Sequence, residues 1–533
     1  MIVPQTEIIV TADGAKAVRM TVPPGEYVVG SKRNADKELY RKLRALSWES
    51  LWAREVPRFD RATPEERAER VAVVRAVGVV FSESGPRDQE NAVREWLRNL
   101  LADPGEKIRR YAMNALPKVG AGRQEESVML ALLQNTENER EKKFLTGALE
   151  KIGGAETLSV ACGVLPQTEQ KARAAVARSE DPGALRMDRM LDDFEGMRIH
   201  LRGRRGLESV VRSEVGDVGK GKFRVLDLRA GLVVIEPAAQ FSLADIYAMR
   251  CFGTAGFFLG MARAKSLAGV MTSPRARSLL KTFTDGPARY RLDFVSKGHQ
   301  RGAVRDLANR VYALCPEILN DPRSALWAMD VYSEASGESV ELRPRWTPDP
   351  RFAYRLRDIP AASHPPLAAC MARLAGKQKD EVVWDPFCGS GTELIECAMR
   401  GGVRAVLGTD RSAEAIAIAQ KNFAAAGVAP VAARWICRDF REHSKIGGLG
   451  PGSVSLFITN PPMGMRVPIA NLRELIADLF SVAAVVLRPG GRLVFVNPLR
   501  TESPHPLLGL QSRQVVDMSG FDCRMEMYVR SHR

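Results

Sequence analysis

The sequence predicts a multidomain chain: a helical N-terminal region, a mixed α+β middle domain, and a C-terminal α/β domain built on a doubly wound parallel sheet. Three observations carry this. The chain has 533 residues, more than one hydrophobic core organises. Its apolar periodicity changes from helical to alternating near residue 190, and at Glu381 a strand runs into a glycine-rich turn and a helix.

Composition narrows the class. Hydrophobic residues make up 45% and charged residues 26%, the balance of a chain that folds in water. No segment offers about 20 uncharged apolar residues, and the first twenty residues lack a basic stretch followed by an apolar run, so a cytoplasmic protein without a membrane anchor is expected. Eight cysteines form no CxxC pair, which argues against a metal site or disulfide framework and predicts buried thiols. The formal charge of +15 and a pI near 9.6 favour a polyanionic partner, a field that a generally basic proteome also produces.

Residues 1–35 alternate apolar and polar (EIIV, AVRMTV, EYVVG) around Asp13-Gly14 and Pro23-Pro24-Gly25, the pattern of a short β hairpin or meander. From 36 to 190 the periodicity is helical. LLADPGEKIRRYAMNALPKVG and LLQNTENEREKKFLTGALEKIGG align Val119-Gly120 with Ile152-Gly153, a period of 33 residues. Paired helices of this kind cover their apolar faces by stacking on neighbours, and they resemble short HEAT-like repeats, beside the plainer reading of a helical bundle. Either way a docking module for a protein partner or substrate is implied. The polar stretch from Ser179 to Asp193 reads as a linker.

The next domain spans 197–346. MRIHL reads as a strand, RGRRG as a basic turn, Leu207 to Val215 as a helix, and FRVLDLR and LVVIEP as strands about Ala230-Gly231. LADIYAMRCFGTAGFFLGM reads as a helix, YRLDFVS as a strand, AVRDLANRVYALC as a helix and SVELRPRW as a strand. This order resembles the THUMP module of RNA-modifying enzymes with its ferredoxin-like companion. The resemblance implies RNA binding, with Arg202, Arg204, Arg205, Lys297, His299, Arg301 and Arg305 as candidates for phosphate contact; a solvated basic surface is the alternative for any one of them.

The chemistry is expected in 350–533. EVVWDPFCGSGTELIECAMRGG places Asp385-Pro386 and the turn Gly389-Ser390-Gly391 between a strand and a helix opening at Thr392, where backbone can approach a ligand at a strand's C-terminal end. A P-loop needs Lys and then Ser or Thr after the second glycine, and Thr392-Glu393 stand there instead. A dinucleotide fingerprint needs a third small residue where Leu394 sits, and Glu393 would repel a pyrophosphate. A zwitterionic sulfonium ligand remains. Asp410, 25 residues after Asp385, ends the next strand as the candidate for the ribose hydroxyls, and Asp439 with Phe440 follows as the candidate for adenine.

Asn460-Pro461-Pro462 closes the apolar strand LFIT, 75 residues after Asp385. An exocyclic base amine is a poor nucleophile because its lone pair is delocalised. If the Asn460 side-chain carbonyl and the Pro461 backbone carbonyl accept its N–H bonds, the amine is positioned and its nitrogen becomes more nucleophilic, and the prolines keep both acceptors aimed.

These residues resemble the amino-methyltransferases marked by an Asn-Pro-Pro-aromatic motif and, with the DPFCGSGT loop and the THUMP-like segment, look most like the THUMP-containing guanine-N2 methyltransferases of tRNA and rRNA. The resemblance implies a Rossmann-like seven-stranded methyltransferase domain with a final antiparallel strand, S-adenosyl-L-methionine as cofactor, no metal, and RNA as partner. It implies that Ser363, His364, Asp385, Phe387, Gly389, Ser390, Gly391, Thr392, Asp410, Arg411, Asp439, Phe440 and Asn460 hold the cofactor, with Asn460, Pro461, Pro462 and Met463 at the reacting amine. The chain departs from the pattern at Met463, where the family carries an aromatic ring against the flipped base; a thioether gives a weaker, less oriented contact. Arg466 follows as a candidate for the phosphate or the base. Three rivals stand beside this reading: a DNA adenine-N6 or cytosine-N4 methyltransferase, a protein-glutamine methyltransferase, and a weakly active RNA-binding protein that retains the cofactor.

Overall fold

The computed structural model describes residues 6–10, 16–20, 29–263, 265–295, 298, 300–360, 362–464, 471–499 and 501–532. Contacts divide the chain into two units, Met1–Asp181 and Pro182–Arg533. In the first, Thr6–Val10 (β1) and Lys16–Met20 (β2) form an antiparallel hairpin. The strand expected over 26–30 lies partly outside the described residues, and Val29 and Gly30 instead begin a helix, Val29–Arg44 (α1). Beyond a set of short helical turns come Ala72–Ser84 (α2), Glu90–Asn99 (α3), Glu106–Ala115 (α4), Arg123–Asn135 (α5), Glu139–Ile152 (α6), Ala155–Ala161 (α7) and Pro166–Glu180 (α8).

Ion pairs and caps join the helices of this unit. Gly122 and Gly154 stand at the N-caps of α5 and α7. Arg109 of α4 pairs with Glu141 of α6 at 2.6 Å, and Glu126 of α5 accepts from the backbone N–H groups of Gly154 and Thr157 at 2.6 and 2.8 Å. Glu126 thus caps the N-terminus of α7. The core is apolar and aromatic, including Trp48, Phe59, Val77, Leu97, Ile108 and Leu149.

The second unit begins earlier than the sequence suggests. Residues 182–193, read above as the end of the helical region and a linker, are packed into it: Ala184–Leu185 (β3) pairs with Thr284–Asp285, and Leu191 bridges to Phe241. An eight-stranded sheet follows, built from Arg198–Arg202 (β4), Phe223–Arg229 (β5), Leu232–Pro237 (β6), Thr254–Ala262 (β7), Arg289–Phe294 (β8), Leu319–Asn320 (β9), Trp327–Glu334 (β10) and Gly337–Pro344 (β11), in the order β9-β8-β10-β11-β7-β4-β6-β5. The helix expected over 243–261 is corrected to a short helix, Leu243–Tyr247 (α9), followed by β7, where Ala255 and Phe257 enter the core. Gly256 lets Glu341 approach this strand closely: a Cβ there would stand 2.7 Å from Glu341 Oε2.

The C-terminal sheet has seven strands: Glu381–Asp385 (β12), Val403–Asp410 (β13), Ala432–Cys437 (β14), Val454–Thr459 (β15), Leu487–Asn497 (β16), Leu508–Asp517 (β17) and Asp522–Arg530 (β18), in the order β14-β13-β12-β15-β16-β18-β17. The first five run parallel and β18 is antiparallel to both its neighbours. Every residue of β15 is buried, as a central parallel strand requires.

The two sheets of this unit share a continuous apolar core running from Leu191 to Met525. Polar pins cross between them. The fully buried Arg351 guanidinium donates to the carbonyls of Phe252 and Gly253 at 2.8 and 3.0 Å and pairs with Asp349 at 2.8 Å. Arg250 donates twice to Glu396, at 2.7 and 2.8 Å, and Tyr354 donates to the same carboxylate at 2.7 Å. Cys162 and Cys437 are exposed, correcting the expectation of buried thiols throughout; the other six are buried. Among the described residues no helix is long and apolar enough to cross a membrane, and no group of His, Cys, Asp and Glu would hold a metal ion.

Candidate active site

The strand order sets the site. Asp385, Asp410 and Thr459 end three adjacent parallel strands (β12, β13, β15), Asn460 follows Thr459 directly, and Asp439 lies two residues beyond β14. Parallel pairing brings all five polar groups to one edge of the sheet, the place where open α/β sheets bind ligands.

Each group is held differently. Asp385 is fully buried; its Oδ1 accepts from Thr459 Oγ1 at 2.6 Å and from the Phe387 N–H at 3.0 Å, while its Oδ2 is buried without a hydrogen-bond partner among the described residues. Burial and the neighbouring charge of Glu393 push its carboxyl well above the ordinary range, and burial also raises Glu393. Two buried carboxyls beside a glycine turn, one with an oxygen unspent, make a pocket that a cationic centre stabilises. The donor set therefore fits a sulfonium-bearing zwitterion.

The turn is shaped for close approach. Gly391 caps Thr392–Arg400 (α10) with φ +83°, and a Cβ there would lie 3.2 Å from Ala419 Cβ and 3.3 Å from the Trp435 ring. Ser390 and Thr392 share a hydroxyl bond at 3.1 Å, and the Gly389 N–H donates to Asp410 Oδ2 at 3.1 Å. Asp410 Oδ1 accepts from the Ser412 N–H at 2.9 Å, so this carboxylate is already aimed by backbone on both sides. Asp439 caps the following turn through the Arg441 N–H at 3.0 Å, with Arg411, largely exposed, 3.9 Å away.

The other expected residues have surroundings of their own. Phe440 is buried and packs against Phe387 with ring centroids 5.0 Å apart, so it backs Phe387 and presents no free face. His364 stands at the N-cap of Pro365–Leu374 beside Arg351, Phe352 and Arg355 in a cavity of about 270 Å³, its imidazole pushed down to about 4 by removal from water and by the charges of Arg204, Arg355 and Arg351. Met463 is half-buried against the core and accepts from the Cys523 thiol at 3.8 Å, which orients the thioether from behind. Pro461 is buried and Pro462 half-buried.

Among the described residues, the basic cluster divides into paired and exposed members. Arg202 forms a forked pair with buried Glu341. Arg204 donates to the Asp517 carbonyl at 2.9 Å and Arg205 pairs with Asp522 at 2.8 Å, so the basic turn grips the end of the β17–β18 hairpin. Arg301 and Arg305 are exposed on Arg301–Leu314, whereas Lys297, His299 and Arg466 lie outside the described residues.

Sequence reasoning missed three site residues. Asn422, fully buried, accepts from the Leu356 N–H at 3.0 Å and donates to the carbonyls of Arg357 and Ser390 at 2.9 and 3.0 Å, tying the segment before the first strand to the glycine turn. Its signal was available: Ala415, Ala419 and Asn422 share one helical face, leaving a polar residue on an apolar stripe. Thr459 had none beyond its place before Asn460. Glu393 was visible only as a charge hostile to phosphate; it accepts a hydrogen bond from the Ser363 hydroxyl, whose oxygen in turn accepts from Asn460 Nδ2 at 2.9 Å. Asn460 Oδ1 is left buried with no partner among the described residues.

Over part of its length the chain is similar to known methyltransferases. The chain is 29% identical over 142 residues to a tRNA (guanine(10)-N2)-dimethyltransferase of Methanothermobacter thermautotrophicus, covering 26% of this chain and 39% of that protein. It is 28% identical over 199 residues to a tRNA (guanine(6)-N2)-methyltransferase of Thermus thermophilus, covering 36% and 56%. The chain thus spans between two fifths and three fifths of the length of these relatives. Among solved structures, TrmN from Thermus thermophilus superposes with a TM-score of 0.49 at 20% identity, over 63% of this chain and 99% of that one. Residues 353–515, which hold Asp385, the glycine turn, Asp410, Asp439 and Asn460, match the family model described as the RMKL-like methyltransferase domain, UPF0020.

Proposed function

We propose that the protein is an S-adenosylmethionine-dependent methyltransferase acting on the exocyclic N2 amine of guanine in tRNA or rRNA, in the cytoplasm. The observation that carries the reading is Asn460: a side-chain carbonyl with no partner among the described residues, shielded from water, at the strand end beside an acidic ligand pocket. A buried acceptor left unmade costs roughly 1–3 kcal/mol, a cost relieved when a donor arrives. The names of the two tRNA relatives support guanine N2 as that donor.

S-adenosylmethionine, when bound, supplies the electrophilic methyl group. The chain's residues do the rest. Gly389 and Gly391 let backbone close on the ligand, Asp385 Oδ2 and Glu393 offset its positive charge, and Asp410 and Asp439 present carboxylates toward ribose and adenine. Asn460 Oδ1 and the Pro461 carbonyl accept the two N–H bonds of the amine, concentrating electron density on its nitrogen; the proton leaves to solvent after transfer. Met463, held by Cys523, is the lateral wall for the base. We further read the eight-stranded domain as a THUMP-like RNA-binding module, with Arg301 and Arg305 as its phosphate contacts, and the helical repeats as a HEAT-like dock for a protein partner.

The test is transfer of labelled methyl groups from S-adenosylmethionine to total RNA, DNA and protein, comparing wild type with Asn460→Ala. Labelled N2-methylguanosine in RNA, reduced on the order of 100-fold in the variant, is expected. Label in DNA or protein alone would overturn the RNA assignment, and undiminished transfer by the variant would overturn the role of Asn460.

A further inference from the structure

Among the groups around the site, one chain of hydrogen bonds has no part in binding a cofactor's ribose or adenine. Glu393 is fully buried on α10 and accepts from the Ser363 hydroxyl. Ser363, 9% exposed, has by this spent its one O–H donor, so toward Asn460 its oxygen can only accept. The structure has Asn460 Nδ2 donating to it at 2.9 Å.

An asparagine amide is nearly symmetric in shape, with nothing in its packing to choose which end faces a substrate. The choice matters greatly here. With Oδ1 toward the site the amine finds an acceptor; with Nδ2 there, two donors meet. We infer that Glu393 and Ser363 form a polarity relay that locks the Asn460 amide with its carbonyl toward the substrate, so that the site selects an amine donor over a carbonyl or ring-nitrogen acceptor. Glu393 is a positioning residue: it acts on the base only through Ser363 and Asn460.

The buried geometry explains why a carboxylate is needed. A neutral Gln at 393 can donate as well as accept. If it donates to Ser363 Oγ, the hydroxyl is free to donate to Asn460 Oδ1, and the amide inverts. An ionised carboxylate only accepts, and so admits one direction. Glu393 lies in the first turn of the helix that Gly391 caps, so the relay hangs on the same turn that shapes the cofactor pocket.

The inference rests on the proposed amine-methyltransferase reading, and its test separates the two. Glu393→Gln, Ser363→Ala and Ser363→Thr are compared with wild type for kcat and KM on whichever polymer the wild type labels, for S-adenosylmethionine affinity by calorimetry, and for Tm. The relay predicts that kcat falls on the order of 10- to 100-fold in Glu393→Gln and Ser363→Ala, with cofactor affinity weakened in Glu393→Gln, which loses a charge facing the ligand, but within about threefold of wild type in Ser363→Ala, and that Ser363→Thr, which keeps the hydroxyl, recovers most of the lost kcat. Equal kcat in Ser363→Ala and Ser363→Thr would overturn the relay while leaving the methyltransferase reading intact. A second measurement needs no turnover. In protein labelled with ¹⁵N-asparagine, the Asn460 side-chain amide, assigned by its loss in Asn460→Asp, should exchange slowly with solvent in wild type and in Ser363→Thr and rapidly in Ser363→Ala; an amide that exchanges rapidly in wild type, or unchanged in Ser363→Ala, refutes the relay whatever the protein methylates.

Discussion

Replacing Arg351 with methionine tests how the seven-stranded and eight-stranded sheets are joined. The guanidinium is fully buried and donates to the carbonyls of Phe252 at 2.8 Å and Gly253 at 3.0 Å while pairing with Asp349. It also lies 4.2 Å from the Phe252 ring centroid and 4.8 Å from that of Phe352. Methionine refills much of the volume but donates nothing, leaving two carbonyls unsatisfied at about 1–3 kcal/mol each and forfeiting a partly desolvated cation–π contact of roughly 1 kcal/mol. A loss of about 4 kcal/mol is expected. Arg351→Lys keeps the charge but reaches fewer acceptors and should lose about half of that. Urea unfolding of the full chain, followed by near-ultraviolet ellipticity, gives the number from the transition that shifts. A loss under about 1 kcal/mol in Arg351→Met would refute the view that this side chain pins the two sheets together.

Two further outcomes are expected. Gly391→Ala forces a side chain into left-handed backbone against Ala419 and Trp435; at about 1–2 kcal/mol of strain, S-adenosylmethionine binding by calorimetry should weaken about 5- to 30-fold, and an unchanged Kd would show that the turn does not touch the ligand. Acid stability should depend on Glu341. Burial alone would raise its carboxyl, but hydrogen bonds from His200 and Arg202 and the Arg202 charge outweigh this and hold it below the ordinary range. A depressed folded value means stability present above the unfolded carboxylate pKa and lost as pH falls through the folded one. Wild type should therefore lose stability below about pH 4.5, with a shallower decline in Glu341→Gln, measured as Tm against pH; parallel curves would refute it.

Legibility from sequence followed locality. The glycine turn, Asp410, Asp439 and Asn460 announce themselves because each is a strand end written in adjacent letters, and parallel pairing gathers strand ends automatically. The helix wrongly read over 243–261 shows the limit: Phe257, Phe258 and Leu259 satisfy helical and strand spacing alike in so short an apolar run. Strand β10 passed unread because its first five residues are all buried, which erases the alternation that marks a half-exposed strand. The relay was out of reach for another reason. Ser363 precedes Glu393 by 30 residues and Asn460 by 97, and nothing in the letters near any one of them names the others. Arg204 and Arg205 looked like nucleic-acid ligands because charge is visible in sequence, while their partners, more than 300 residues downstream, are not.

That last pairing sets a dimension. Gly206 lies with φ +96° so close to the Val515 carbonyl that a Cβ would stand 1.7 Å from its oxygen, and the basic turn around it is clamped to the far hairpin of the catalytic sheet. With Arg351 fixing a second point, the eight-stranded domain and the Asn460 pocket are the two jaws of a caliper that does not slide. If the first jaw grips RNA, the nucleotide that reaches the second is selected by how far it lies from the gripped feature, and a substrate that differs in that span by one base step is refused before its identity is read.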